Sequence, residues 1–102
     1  MDIRWTEQAF ERLAEVQEFI ARDSPVAAAR MVDKIIDRAE NLKTFPERGR
    51  IVPEIDNPDI REVFEGNYRI VYRVREQYLE ILTVFERHRL FPEDDLASSA
   101  SP

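Results

Sequence analysis

The chain has 102 residues, with 15 Lys and Arg against 21 Asp and Glu, a net charge of −6, one histidine and no cysteine. That length suits one compact domain, and the composition excludes disulfides, thiolate metal sites and a multi-histidine metal centre. The negative balance excludes a protein that grips nucleic acid through a globally cationic surface, because phosphate binding draws its affinity from such charge.

Ile3 to Trp5 reads as a short first strand. Thr6 then offers an N-cap with Glu7 in the first turn, and Ala9, Leu13, Val16 and Ile20 recur at helical spacing, flanked by Phe10 and Phe19. Asp23-Ser24-Pro25 is a boundary: Ser24 can cap, and Pro25 suits the first helical position, where its missing N–H costs nothing. A second helix runs to about Thr44 on the stripe Ala28, Met31, Val32, Ile35, Ala39 and Leu42. The short link predicts an antiparallel helical hairpin.

Phe45-Pro46 ends that helix, and Gly49, Pro53, Asp56, Asn57 and Pro58 mark an irregular connection. Three strand signals follow: Ile60 to Phe64, Tyr68 to Arg75, and Tyr78 to Glu86, joined by links short enough for hairpin turns. The middle strand alternates Ile70, Tyr72 and Val74 with Arg69, Arg73 and Arg75, giving an apolar face and a guanidinium face. The last strand alternates Leu79, Ile81, Thr83 and Phe85 against Tyr78, Glu80, Leu82 and Val84. The expected fold is α+β in the order β-α-α-β-β-β. A three-stranded antiparallel meander is backed by the helices on one face and shows its arginines on the other. Residues 1–92 form the expected domain, and 93–102, acidic and then serine-rich, the expected disordered tail. Absence of cysteine, of a bilayer-length apolar run and of a signal-peptide pattern fits a cytoplasmic location.

Five pieces in this order resemble the ParE/RelE superfamily of toxins from type II toxin–antitoxin modules, and most closely its ParE branch. They are Asp23-Ser24-Pro25 with the alanines after it, Leu42 through Arg50, Ile60-Arg61-Glu62, Tyr68 through Val74, and Glu80 through Val84. The resemblance implies a toxin without cofactor or metal, held in a hetero-oligomeric complex by a cognate ParD-like antitoxin. That antitoxin would supply the DNA-binding function, so no direct DNA contact is implied. In the ParE branch the implied target is DNA gyrase, and the toxin catalyses nothing. In the RelE branch the implied activity is ribosome-dependent mRNA cleavage.

Carried over by position, Arg69 matches the arginine of the Tyr-Arg-x-x-Tyr strand, Arg61 falls near a lysine position of the preceding strand, and Arg87 near an arginine after the last. A nuclease would use Arg61, Arg69, Arg87 and His88. However, no lysine lies beyond Lys43 and no tyrosine beyond Tyr78, and a guanidinium with a pKa above ~12 is a poor general base. His88, between Arg87 and Arg89, reads more simply as a solvent-facing residue just past a strand. Missing proton-transfer groups and the net negative charge both favour the ParE branch. Antitoxin- or target-binding roles are then expected for Arg61, Arg69, Arg73, Arg87 and Arg89, with Arg75 an ordinary cross-strand partner of a glutamate.

Overall fold

The computed structural model describes residues 1–99, with the backbone alone for 97–99. Helix α1 (Glu7–Ala21) follows strand β1 (Asp2–Trp5) and begins at its expected cap: the Thr6 hydroxyl accepts the Ala9 N–H at 3.0 Å. Helix α2 (Pro25–Glu40) is capped in the same way by Ser24, which accepts the Ala27 N–H at 3.1 Å. It stops before Thr44, and a 3-10 turn at Asn41–Lys43 carries Leu42 into the core. Leu13 and Val16 from α1 and Ile35 and Ala39 from α2 pack on Ile70, Tyr72, Leu79 and Ile81 of the sheet. Among the described residues, no helix is long and apolar enough to cross a membrane.

The remaining strands are β2 (Arg50–Ile51), β3 (Ile60–Glu65), β4 (Tyr68–Val74) and β5 (Tyr78–Glu86). They join one five-stranded sheet in the order β1-β5-β4-β3-β2. The meander β3-β4-β5 is antiparallel, as expected. The sheet is nevertheless mixed and wider than that meander. β1 runs parallel to β5, with Ile3 opposite Leu79 and Trp5 opposite Ile81, the helical hairpin and meander supplying the long connection a parallel pair needs. β2 lies inside the connection expected to be irregular, pairing Arg50 with Glu62 and Ile51 with Arg61.

A bulge breaks the alternation of β5. Val71 opposes Thr83 but Tyr72 opposes Ile81, so Leu82 is the extra residue. Leu79, Ile81 and Val84 consequently face the helices while Leu82 and Phe85 face away, rather than Leu79, Ile81, Thr83 and Phe85 sharing one side.

The far face of the sheet is not an open plane of arginines. Val52, Ile60, Val71, Leu82 and Phe85 form a second core there, covered by Ile55 from the β2–β3 connection and by Phe91 and Leu96 from the chain beyond β5. The expected tail is therefore ordered from its start: Glu93–Ser99 is a 3-10 helix packed on β5 and α1. β1 pairs only with Tyr78 to Ile81, so among the described residues the rest of β5 has no strand on that side. Asp95 anchors the segment. It is buried, accepts Arg12 Nε at 2.8 Å and Nη2 at 3.0 Å, and accepts the Thr83 hydroxyl at 2.8 Å. One acid of an acidic run thus finds its cation on α1, far away in sequence, which no local pattern displays. Residues 100–102 of that expected tail lie outside the described residues.

Tyr72 pins the connection before β2. Its buried hydroxyl accepts the Gly49 N–H at 3.0 Å and donates to the Pro46 carbonyl at 2.7 Å. A Cβ on Gly49 would stand 2.6 Å from both the Glu62 carbonyl oxygen and the Tyr72 hydroxyl. Gly49→Ala is therefore expected to lose about 1–3 kcal/mol of stability in urea unfolding, through overpacking against backbone that cannot move aside.

Candidate binding surfaces

The centre of the far face is Arg69, whose side chain is only 8% exposed. Its Nε donates to Glu62 Oε1 at 2.6 Å, and its Nη1 and Nη2 donate to the two Glu54 oxygens at 2.9 Å each. The guanidinium carbon lies 5.0 Å from the Phe85 ring centre and 5.2 Å from that of Phe91. Glu62, with a fully buried side chain, also accepts Arg50 Nε at 2.6 Å. Two arginines and two carboxylates are thus interleaved, and the buried pair among them, Arg69 and Glu62, is tolerable only because its partners are in place. The bonds from Arg69 hold the Glu54 carboxyl below its ordinary range, and those from Glu54 hold Arg69 more firmly protonated.

Arg69 is therefore not the exposed cation that its alternation suggests. Alternation assigns it correctly to the face away from the helices but cannot reveal the cover over that face. Arg61 lies on the opposite face: it pairs with Tyr72, and its Nη1 donates to the Gly49 carbonyl at 3.0 Å. Arg73 is half-buried on the side of Arg69, opposite Ile60 and Glu80, and its Nε has no hydrogen-bond partner among the described residues. Arg75 pairs with Glu80, at 3.2 Å from Nη2, as expected.

Arg87, His88 and Arg89 are exposed on the turn after β5. The Arg87 guanidinium stacks 4.5 Å from the Phe64 ring centre, and Arg50 approaches the same ring at 5.3 Å. The four residues a nuclease would use are thus divided between an interior ion cluster (Arg69), the opposite sheet face (Arg61) and an exposed turn (Arg87 and His88).

A groove of about 550 Å³ runs between α1 and the segment after β5. Val16 and Phe19 form one wall, Leu90 and Pro92 the other, and Tyr68 and Val84 are at its base, with charged side chains along the rim. Phe19 is 60% exposed and Leu90 95% exposed. Apolar side chains held open on both sides of one cleft are the usual mark of a protein-docking surface. Phe19 was visible in the sequence as an apolar residue off the core stripe of α1. Leu90 carried no such signal, because it gains its position only when Asp95 folds the chain back.

Arg69→Ala would strand Glu62 as a buried carboxylate with one of its two cations gone. A loss of about 3–5 kcal/mol in denaturant unfolding is expected, largely recovered in the double variant Arg69→Met with Glu62→Leu. The sign of the pH dependence follows from Glu54. Because its folded carboxyl is held low, it contributes stability above the ordinary value of about 4.3, and that contribution fades as pH falls through the folded value. Glu54→Gln should flatten this acid limb of a thermal-unfolding pH series while leaving the limb above pH ~7 unchanged.

The family model described as ParE toxin of type II toxin-antitoxin system, parDE, matches residues 3–91. Y4kP of Sinorhizobium fredii, a candidate toxin, is 36% identical over 91 residues, covering 89% of this chain and 93% of its own. Toxin RelE2 of Caulobacter vibrioides is 32% identical over 87 residues, covering 84% of this chain and 94% of its own. The fold is similar to that of the chromosomal ParDE toxin–antitoxin system from P. aeruginosa, with a TM-score of 0.69 at 20% identity over 84% of this chain and 95% of that one. It is also similar to the YoeB/ParE toxin from Agrobacterium tumefaciens, with a TM-score of 0.59 at 26% identity over 84% of this chain and 98% of that one. A family match over nearly the whole length, close relatives named as toxins, and this shared α+β architecture agree: the chain belongs to the ParE toxin family of type II toxin–antitoxin systems.

Proposed function

We propose that the protein inhibits DNA gyrase by binding it, without catalysis of its own, and that a ParD-like antitoxin neutralises it in a cytoplasmic hetero-oligomeric complex. The observation that carries the non-catalytic part is the state of Arg69. A cation that stabilises a phosphorane-like transition state must face the reacting phosphate with donors to spare. Here the donors of Arg69 are directed at Glu54 and Glu62. A RelE-type nuclease, the reading that the name of the Caulobacter relative would favour, would need Arg69 released from both glutamates before it could face a phosphate.

For neutralisation, the groove between α1 and the segment after β5 supports an amphipathic antitoxin helix, its apolar face against Phe19 and Leu90 and its polar face toward the charged rim. The exposed Arg87, His88 and Arg89 stand next to that groove and suit acidic side chains of the same partner. They are equally the surface left free to meet gyrase once the antitoxin is gone.

Purified protein should block gyrase supercoiling of relaxed plasmid and should leave messages uncut on translating ribosomes. Normal supercoiling at large molar excess, or codon-associated cuts by primer extension, would overturn the proposal. Phe19→Asp and Leu90→Asp, both at exposed positions, should each weaken the antitoxin complex by at least about tenfold in calorimetry while leaving the fold intact.

A further inference from the structure

We propose that the outer edge of the Arg69 guanidinium is a receptor for a carboxylate of an acidic polypeptide, and that Glu54 is the occupant it must displace. The inference rests on the antitoxin reading only for the origin of that polypeptide.

Arg69 is held from two sides in unequal ways. The inner partner, Glu62, has no exposed side-chain surface and is bound a second time by Arg50, so it stays when anything else moves. The outer partner, Glu54, is 39% exposed and belongs to the connection between β2 and β3. Nη1 and Nη2 point at its two oxygens in a fork, the geometry in which an arginine recognises any carboxylate. If Glu54 swings into solvent, that fork remains aimed by Glu62 and flanked by the Phe85 and Phe91 rings, which keep it from being levelled by water.

Charge shows what the vacated fork would accept. With Glu54 in place, Arg50 and Arg69 are balanced by Glu54 and Glu62. With Glu54 withdrawn, one positive charge is uncovered at the surface, and Arg87, stacked with Arg50 on Phe64, extends it outward. An incoming carboxylate would restore both hydrogen bonds and the balance. A polypeptide can present one carboxylate at a time, whereas a nucleic acid brings a continuous row of phosphates toward a chain of net charge −6. The exchange makes Glu54 a built-in competitor: it keeps the cation from non-specific anions and yields only to a segment anchored elsewhere on the surface.

The test uses the full chain, wild type and Glu54→Gln, titrated at low salt with a blocked tetraglutamate peptide. Calorimetry reads affinity, and nuclear magnetic resonance of the arginine Nε–Hε groups reads location. Gln keeps the shape of the resident side chain but removes its charge, and its exposed position spares the fold. The proposal expects Glu54→Gln to bind the peptide about tenfold tighter than wild type, with the Arg69 Nε–Hε resonance shifting on saturation. Equal affinity for the two proteins would overturn it, as would shifts confined to Arg87 and Arg89. Tighter binding of a single-stranded RNA tetramer than of the peptide would overturn the carboxylate assignment. None of these results bears on the antitoxin reading, which is decided by the Phe19 and Leu90 variants in the groove.

Discussion

A buried guanidinium has to be surrounded before it can be tolerated, and the far side of this protein is arranged around that requirement. Arg69 lies within a β-strand on the face away from the helices, where an uncovered sheet would have left it in water. Instead the β2–β3 connection brings Glu54 and Ile55, and the chain beyond β5 brings Phe91 and Leu96. Each covering segment therefore contributes to the apolar layer, and two of its side chains, Glu54 and Phe91, also contact the Arg69 guanidinium. Glu62 and Arg50 complete the charge balance from the neighbouring strands. Removing Arg69 or Glu62 leaves the other as a buried charge short of a partner, which makes this polar cluster cooperative with the second core rather than an addition to it.

Much of the fold was legible from local chemistry. Thr6 and Ser24 announce the helix starts, Pro25 the first turn of α2, and the alternation from Tyr68 to Val74 the central strand. What was not legible depends on pairs distant in sequence. The parallel partnership of β1 with β5, the two-residue β2 and the bulge at Leu82 are set by neighbours that no short window contains. The same holds for residues 93–99, whose composition suggests disorder but which are held by Asp95 against Arg12 and Thr83 and by Leu96 on the second core. At the candidate site the residue types were legible and their exposure was not. Periodicity places Arg69 on a face, but its availability is decided by Glu54 and Phe91.

That difference changes the functional reading in a definite direction. Membership of the ParE toxin family is shown by the match over residues 3–91, and the fold agrees with it. Within such a fold, free cations on the sheet would suit phosphate chemistry, whereas cations neutralised internally suit a protein that acts by contact. The candidate contact surface is an apolar groove bordered by Phe19 and Leu90, and beside it the exposed turn of Arg87, His88 and Arg89. One wall of that groove is the segment latched by Asp95, so the placement of that segment and the shape of the groove share a physical cause.

The most direct measurement is the solvent exchange rate of the Arg69 side-chain Hε in the free protein, followed by nuclear magnetic resonance at neutral pH. A guanidinium bonded by Glu62 and Glu54 beneath two phenyl rings should exchange orders of magnitude more slowly than the exposed Arg87, with little dependence on salt. Exchange as fast as at Arg87 would show that the cluster does not hold in solution, and the account built on it would fail.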